Sequence, residues 1–392
     1  MKWWFSLNYF VERTLKFQEK MKKSMVDYSI IFNSRHIYYF TGTAQHSILL
    51  IPSNSEPILF VRRDFDRAKK ECVIKDLVQI KSTKDIFNGI KDFDKKELLI
   101  GIEYNFLRVG QFFSVKKELK KSKFVDISST IQELRIIKDD LEKKLIRNSA
   151  KISEKVQQIA REYLRPGITE LELAGEIQRE ITKYGSIFSY FDGYWARTPF
   201  IIASGENLWA RSDFPPVLSG VGPCNAEPHG PSNRVIKSGD IVVVDVATVI
   251  EGYTADHSRT YYVGNKISDK FKKIHNILLK ARLKAINFMQ AGNSIAEFCK
   301  IILKNIPVEF RDYLQGYDQF KEGFGHGIGL CLDELPFLIL NTNQKFQKDM
   351  VVAFEPKIII PGWGAVNFED DFIINREVPP EQITNSPIYS FS

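Results

Sequence analysis

Two stretches of this chain each place two acidic residues on a hairpin, and that limits what it can fold into. The first reads IVVVDVATVIEGYTADHSRTYYV. A two-residue turn at Glu251-Gly252 pairs Ile250 with Tyr253. Counting back from there sets Asp245 opposite Ser258. Asp256, two residues from Ser258, then shares a face with Asp245, at a diagonal spacing of roughly 7–8 Å. The second stretch reads VVAFEPKIIIPGWGAVNFEDDF. A turn centred on Pro361-Gly362-Trp363 pairs Ile360 with Gly364, and the same register sets Glu355 opposite Glu369. Both strands are otherwise apolar, so these glutamates are expected to point inward.

Four carboxylates on one interior cannot stand uncompensated. Two unit charges 5 Å apart repel by about 3 kcal/mol at an effective dielectric of 20, and desolvation adds to the cost. One acidic hairpin could be solvated or paired with basic side chains. Two acidic hairpins favour a bound cation. The nearby GFGHGIGL offers His326 within a glycine-rich strand where backbone and ligand can approach closely.

The rest of the chain frames these hairpins. Its 392 residues suit two domains, and 44% hydrophobic with 26% charged residues is the composition of a soluble globular protein. Segments 26–32, 47–51 and 57–61 read as short buried strands, with a helix around 64–72. A second strand–helix passage runs through LLIGIEYNF, and this α/β unit ends near Ser128. Residues 129–163 read as one long charged helix, with Ile131, Leu134, Ile137, Leu141, Leu145 and Ile146 at helical spacing. The domain boundary is placed near residue 138, giving domains 1–138 and 139–392. Thr169 starts a further helix that ends at Gly185. From 240 onward strands alternate with tight turns, with a helical interlude at about 268–304.

Several classes are excluded or disfavoured. No apolar run approaches the roughly 20 residues of a membrane span. The apolar start MKWWFSLNYF is too short for a signal peptide and reads as the first packed element. The net charge of +7 reads as a lysine-rich surface rather than a nucleic-acid site, and the run Lys116–Lys123 as one helix face. Cys72, Cys224, Cys299 and Cys331 lack CxxC spacing and suit a reducing, cytoplasmic compartment.

The hairpins and the histidine segment resemble the pita-bread metallopeptidases, the family of Xaa-Pro aminopeptidases, prolidases and methionine aminopeptidases. GDIVVVDVATVIEGYTADHSRTYYVG is similar to the family's first metal hairpin, GHGIGLCLDELP to its metal-histidine segment, and AFEPKIIIPGWGAVNFEDDFII to its paired-glutamate hairpin. LRIIKDDLEKKLIRNSA and LRPGITELELAGEI resemble the helices that open that domain. The first half, including HIYYFTGTAQHSILLI, resembles the creatinase-type domain of the Xaa-Pro-cleaving branch. The implied fold is α+β: an N-terminal α/β creatinase-type domain followed by a C-terminal pita-bread domain.

The resemblance implies that Asp245, Asp256, His326, Glu355 and Glu369 hold two divalent ions, with Asp245 binding one through both oxygens, Asp256 and Glu369 bridging, and His326 and Glu355 completing the second. Oxygen-rich ligation with one imidazole suits Mn²⁺, with Co²⁺, Fe²⁺ or Zn²⁺ as alternatives. Glu355 would be general base and acid toward an activated water. The implied activity is exopeptidase cleavage of short peptides by a homodimer.

Two positions depart from the family. Seven residues after His326, where a second histidine is usual, stands Asp333. Two residues before Glu369, where Xaa-Pro enzymes usually carry arginine, stands Asn367. These departures bear on substrate choice rather than metal binding. NAEPHGPSNRVIKSGD resembles the segment holding a substrate-side histidine, which makes His229 a candidate proton donor. A competing alignment through IASGENLWARSDFP puts Ser212 there instead. His257 should face away from Asp256 and is read as structural, while His36 and His46 have no metal-like company. Two other functions stay open: a creatinase-like hydrolase of a non-peptide C–N bond, and a non-catalytic binding protein stabilised by metal.

Overall fold

The computed structural model describes residues 7–88, 97–187, 200–210, 218–316, 323–377 and 379–388. The chain forms two compact units, one ending at Arg135 and the other beginning at Ile136. Among the described residues no helix is long and apolar enough to cross a membrane.

In the first unit, strands rich in Ile, Leu and Val form one six-stranded sheet. Tyr28–Ile31 pairs antiparallel with Ser47–Pro52 and parallel with Leu99–Ile102. Ile30, Leu50, Phe60 and Ile100 fill the core on one face, with Val115 of the helix Val109–Glu118. The lysine run is not one helix face. That helix stops at Glu118, and Lys123 already opens the strand Lys123–Asp126. All its lysines are exposed. Of the apolar start, residues 1–6 lie outside the described residues, and a helix begins at Leu7.

The helix expected over 129–163 is two helices, Ser128–Ile136 and Asp140–Tyr163. The physical reason is a start signal that outweighs the periodicity. Asp139 accepts from the Glu142 N–H, and the Glu142 side chain accepts from the Asp139 N–H, a reciprocal cap that opens a new helix. Ile137, one of the apolar residues at that spacing, is exposed and bridges to Met350.

The second unit layers helices against strands. Along Ile241–Val246 the side chains alternate. Val242, Val244 and Val246 pack with Val156, Ala160, Leu173 and Ile177 from the helices Asp140–Tyr163 and Glu170–Lys183. Ile241 and Val243 join a larger core with Phe271, Leu278, Phe298, Phe354 and Phe372, to which the helices Asp269–Ile286 and Ile295–Asn305 contribute. Asp245 continues the Ile241–Val243 side. A five-stranded sheet, ordered Glu334–Ile339, Gly323–Gly327, Val351–Phe354, Asp370–Ile373, Glu381–Gln382, carries the histidine and the outer strands of the second hairpin, whose inner strands Lys357–Ile360 and Gly364–Asn367 pair separately.

Behind that hairpin lies a buried ionic knot. Asp370 is fully buried and accepts from Arg259 Nη2 at 2.7 Å, from Thr384 Oγ1 at 3.1 Å and from Arg282 Nη2. Arg259 Nη1 also donates to the Glu369 carbonyl oxygen at 2.9 Å, so the knot fixes the backbone that carries Glu369. Asp370→Ala leaves two buried guanidinium groups without their carboxylate. It is expected to cost about 3–5 kcal/mol of unfolding free energy in urea titrations, and a loss below about 1 kcal/mol would contradict this role.

Candidate metal centre

Both hairpin registers follow the turn chemistry. Glu251 and Gly252 both have positive φ, at 52° and 82°, the backbone of a tight two-residue turn, and Ile250 pairs with Tyr253. The count runs unbroken to Ser258 opposite Asp245. In the second hairpin Ile360 pairs with Gly364, and Lys357 with Asn367. Beyond Glu355 and Glu369 the same count resumes with Phe354 opposite Asp370.

Ser258 stitches the two hairpins together. Its N–H donates to the Glu369 carbonyl oxygen at 3.4 Å, and the Glu369 N–H donates back at 3.2 Å. Asn367 Nδ2 donates to Ser258 Oγ at 2.9 Å, so the residue in the usual arginine position is buried beside this junction. Asp245 and Asp256 on one ribbon thereby meet Glu369 on the other.

His326 arrives from Gly323–Gly327, between Val351–Phe354 and Glu334–Ile339. Gly325, at φ +149°, is needed for this approach: a Cβ there would sit 2.0 Å from the Ala353 carbonyl oxygen. Ligand atoms of Asp256, His326 and Glu369 lie within 4.8 Å of one another, the one such buried group among the described residues. His326 Nδ1 lies 3.2 Å from the Gly327 carbonyl oxygen, which suits a donated N–H and leaves Nε2 for an ion. Nε2 stands 3.8 Å from Asp256 Oδ2 and 3.1 Å from Asp333 Oδ1.

The cluster's electrostatics are those of an anion-rich pocket. Burial, and then the neighbouring carboxylates, hold Asp256 and Glu369 well above the usual carboxylate range. Burial pushes Asp245 up to about 6, against the pull of Lys357. Burial alone would lower His326, but Asp333, Glu355 and Asp256 outweigh it and push the imidazole up to about 9. Asp256 Oδ1, Glu369 Oε1 and Asp371 Oδ1 are buried without a hydrogen-bond partner. Buried carboxylate oxygens left bare beside an imidazole are the donor set of a divalent cation, so the residues fit a metal.

Two neighbours escaped the sequence reading. Lys357 is ion-paired with Glu355 through Nζ and Oε2. Asp371 accepts the Asp256 N–H at 2.9 Å. Both signals were available, since Lys357 and Asp371 stand two residues after Glu355 and Glu369 and so share their strand faces. His257 is fully buried, with Nδ1 2.8 Å from the Glu369 carbonyl oxygen, and burial lowers it to about 3. His229 is half-buried on a loop tied by Gly222 and Gly230. Glu170 anchors that loop, accepting from Ser232 N–H at 3.0 Å and Oγ at 2.7 Å. His229 is not in the group of converging ligand atoms. Ser212 lies outside the described residues.

Residues 144–376 match the model of metallopeptidase family M24. The chain belongs to this family. Residues 13–137 match the creatinase/prolidase N-terminal domain. A Xaa-Pro dipeptidase of Pyrococcus horikoshii is 27% identical over 369 residues, covering 93% of this chain and 95% of that protein. An uncharacterized peptidase of Bacillus subtilis is 28% identical over 370 residues, 92% of this chain and 94% of the relative. Among solved structures, the prolidase from Pyrococcus horikoshii superposes with a TM-score of 0.80 at 26% identity, covering 97% of this chain and all of the other. A Xaa-Pro dipeptidase from Bacillus anthracis also gives 0.80 at 26% identity, over 96% of this chain and 98% of its own. The chain is therefore a metallopeptidase with a creatinase-type N-terminal domain and a pita-bread domain, and membership of M24 implies use of a divalent metal.

The shifted groups give the metal-free protein a distinctive pH response. A carboxyl raised in the fold favours the folded state below its unfolded value and loses that contribution as pH rises through its folded value, about 6 for Asp245. His326, raised to about 9, loses its contribution as pH rises from its unfolded value through 9. Metal takes the place of these protons, offsetting the carboxylate charge and binding the neutral imidazole, so its hold strengthens as pH rises. Between pH 5 and 9 the melting temperature of metal-loaded protein should increasingly exceed that of metal-free protein. A constant or shrinking gap in paired thermal melts would contradict this.

Proposed function

We propose that the chain is a metal-dependent exopeptidase that hydrolyses short peptides, of the Xaa-Pro aminopeptidase or dipeptidase type. The observation that carries this reading is the convergence of ligand atoms from the buried Asp256, His326 and Glu369, beside buried carboxylate oxygens that have no hydrogen-bond partner. Asp245, Asp256, His326, Glu355 and Glu369 are assigned as the protein ligands of two divalent ions, with Mn²⁺ the metal best suited to the donor set. When bound, the ions supply Lewis acidity at the scissile carbonyl and make water acidic enough to react near neutral pH.

The chain's own residues do the rest. Glu355 takes a proton from the attacking water onto its carboxylate and returns it to the leaving nitrogen. Burial would raise the Glu355 carboxyl, but Lys357 and His326 outweigh it and keep it low, so it starts as a base. Asp333, beside His326 Nε2 and partly exposed, is assigned to the substrate side of the centre. His229 is assigned as a proton donor on the substrate side. Residues 1–138 are assigned to the N-terminal domain and 139–392 to the catalytic one.

A second reading, hydrolysis of a non-peptide C–N bond, draws support from Lys357, which already brings one cation into the acidic site. Purified protein with Mn²⁺ is expected to release the residue preceding proline from di- and tripeptides. Glu355→Gln should lower kcat by at least about 100-fold at saturating Mn²⁺. Metal-loaded protein that leaves a broad peptide panel intact, but cleaves small non-peptide amides, would favour the second reading instead.

A further inference from the structure

Asp333 approaches His326 more closely than the assigned ligand Asp256 does. Its Oδ1 lies 3.1 Å from His326 Nε2, against 3.8 Å for Asp256 Oδ2. Two donors bound side by side to one divalent ion, each at roughly 2.0–2.2 Å, stand about 3 Å apart. A hydrogen bond from a charged imidazole gives the same spacing, but only while Nε2 carries a proton. Once an ion takes Nε2, the carboxylate beside it faces that ion.

The turn that carries Asp333 is held from two directions. Thr254, two residues before Asp256, donates its N–H to the Gly329 carbonyl oxygen at 2.8 Å, and its hydroxyl lies 3.0 Å from the Cys331 carbonyl oxygen. Glu334, next to Asp333, accepts the Cys331 N–H at 3.2 Å and is ion-paired at 2.8 Å with the buried Lys138. The first ribbon and the buried pair thus fix the backbone from which Asp333 reaches Nε2. The Asp333 side chain is 26% exposed and that of His326 only 10%, so the acid stands on the open side of the imidazole.

We propose that Asp333 is a sixth protein ligand of the centre, joining His326 and Glu355 on the ion assigned to them. The inference rests on the metal-centre reading above. A carboxylate is a charged oxygen donor of the kind that suits Mn²⁺. Its side chain is also short, so its oxygen comes up beside Nε2 where the longer histidine usual at this position would not fit the same way. The exchange of histidine for Asp333 therefore acts on metal binding, and not on substrate choice alone.

A crystal structure of the full chain loaded with Mn²⁺, beside calorimetric titration of metal-free protein with Mn²⁺, tests this. An Asp333 carboxylate oxygen is expected within about 2.5 Å of the ion bound by His326 Nε2. Asp333→Ala should weaken Mn²⁺ binding by at least about tenfold, no less than the loss of a group that merely orients a ligand. An Asp333 carboxylate held farther from that ion, or an Asp333→Ala protein of unchanged Mn²⁺ affinity, overturns the proposal. Should Asp333→Ala fail to fold, the loaded wild-type structure alone decides. Loaded crystals with no ion at His326 and Glu355 refute the metal-centre reading itself, an outcome distinct from either.

Discussion

Repulsion among buried carboxylates is the constraint around which the second unit is organised. Asp245, Asp256, Glu369 and Asp371 are all buried, and three of their oxygens find no hydrogen-bond donor. Such a cluster folds only if protons or cations reduce its charge, and the upward displacement of its carboxyls shows the scale of the demand. Nearby positive groups answer it in part. Lys357 sits on Glu355, His326 is driven toward its charged form, and the arginine pair behind the hairpin is spent on Asp370. The remaining negative charge is of the kind a divalent metal offsets, in keeping with a member of M24.

The scaffold holds those charges in place against their own repulsion. Ser258 shares its backbone between two ribbons, and the Asp370 knot grips the Glu369 carbonyl through Arg259. On another side, Lys138 and Glu334 form a buried pair at 2.8 Å, and Glu334 also accepts the Cys331 N–H at 3.2 Å. That pair and bond tie down the turn bearing Asp333 beside His326. Each device uses a strong, desolvated interaction where an apolar contact would not resist displacement by like charges.

Much of this was legible in the sequence because tight turns fix register. The Glu251-Gly252 and Pro361-Gly362-Trp363 turns fixed which residues face one another, and strand alternation did the rest. Joining the ribbons was a different matter: the Ser258–Glu369 bridge spans over a hundred residues, and no local pattern encodes it. The break at Ile137–Asp139 was hidden because apolar spacing continues through it, although the Asp139–Glu142 cap was in plain sight. Lys357 and Asp371 lie outside the pattern of acids facing one another across each ribbon, because each stands one strand period along from Glu355 or Glu369 rather than opposite it. The lysine run was misread because its charges cross from a helix end into a strand.

Elemental analysis after exhaustive dialysis is the most direct measurement of the centre. Wild-type protein is predicted to retain divalent metal, and Asp256→Ala and Glu369→Ala to lose most of it while remaining folded. Equal metal content in all three proteins, or none in wild type purified and dialysed with Mn²⁺ present, would contradict a centre built on these carboxylates.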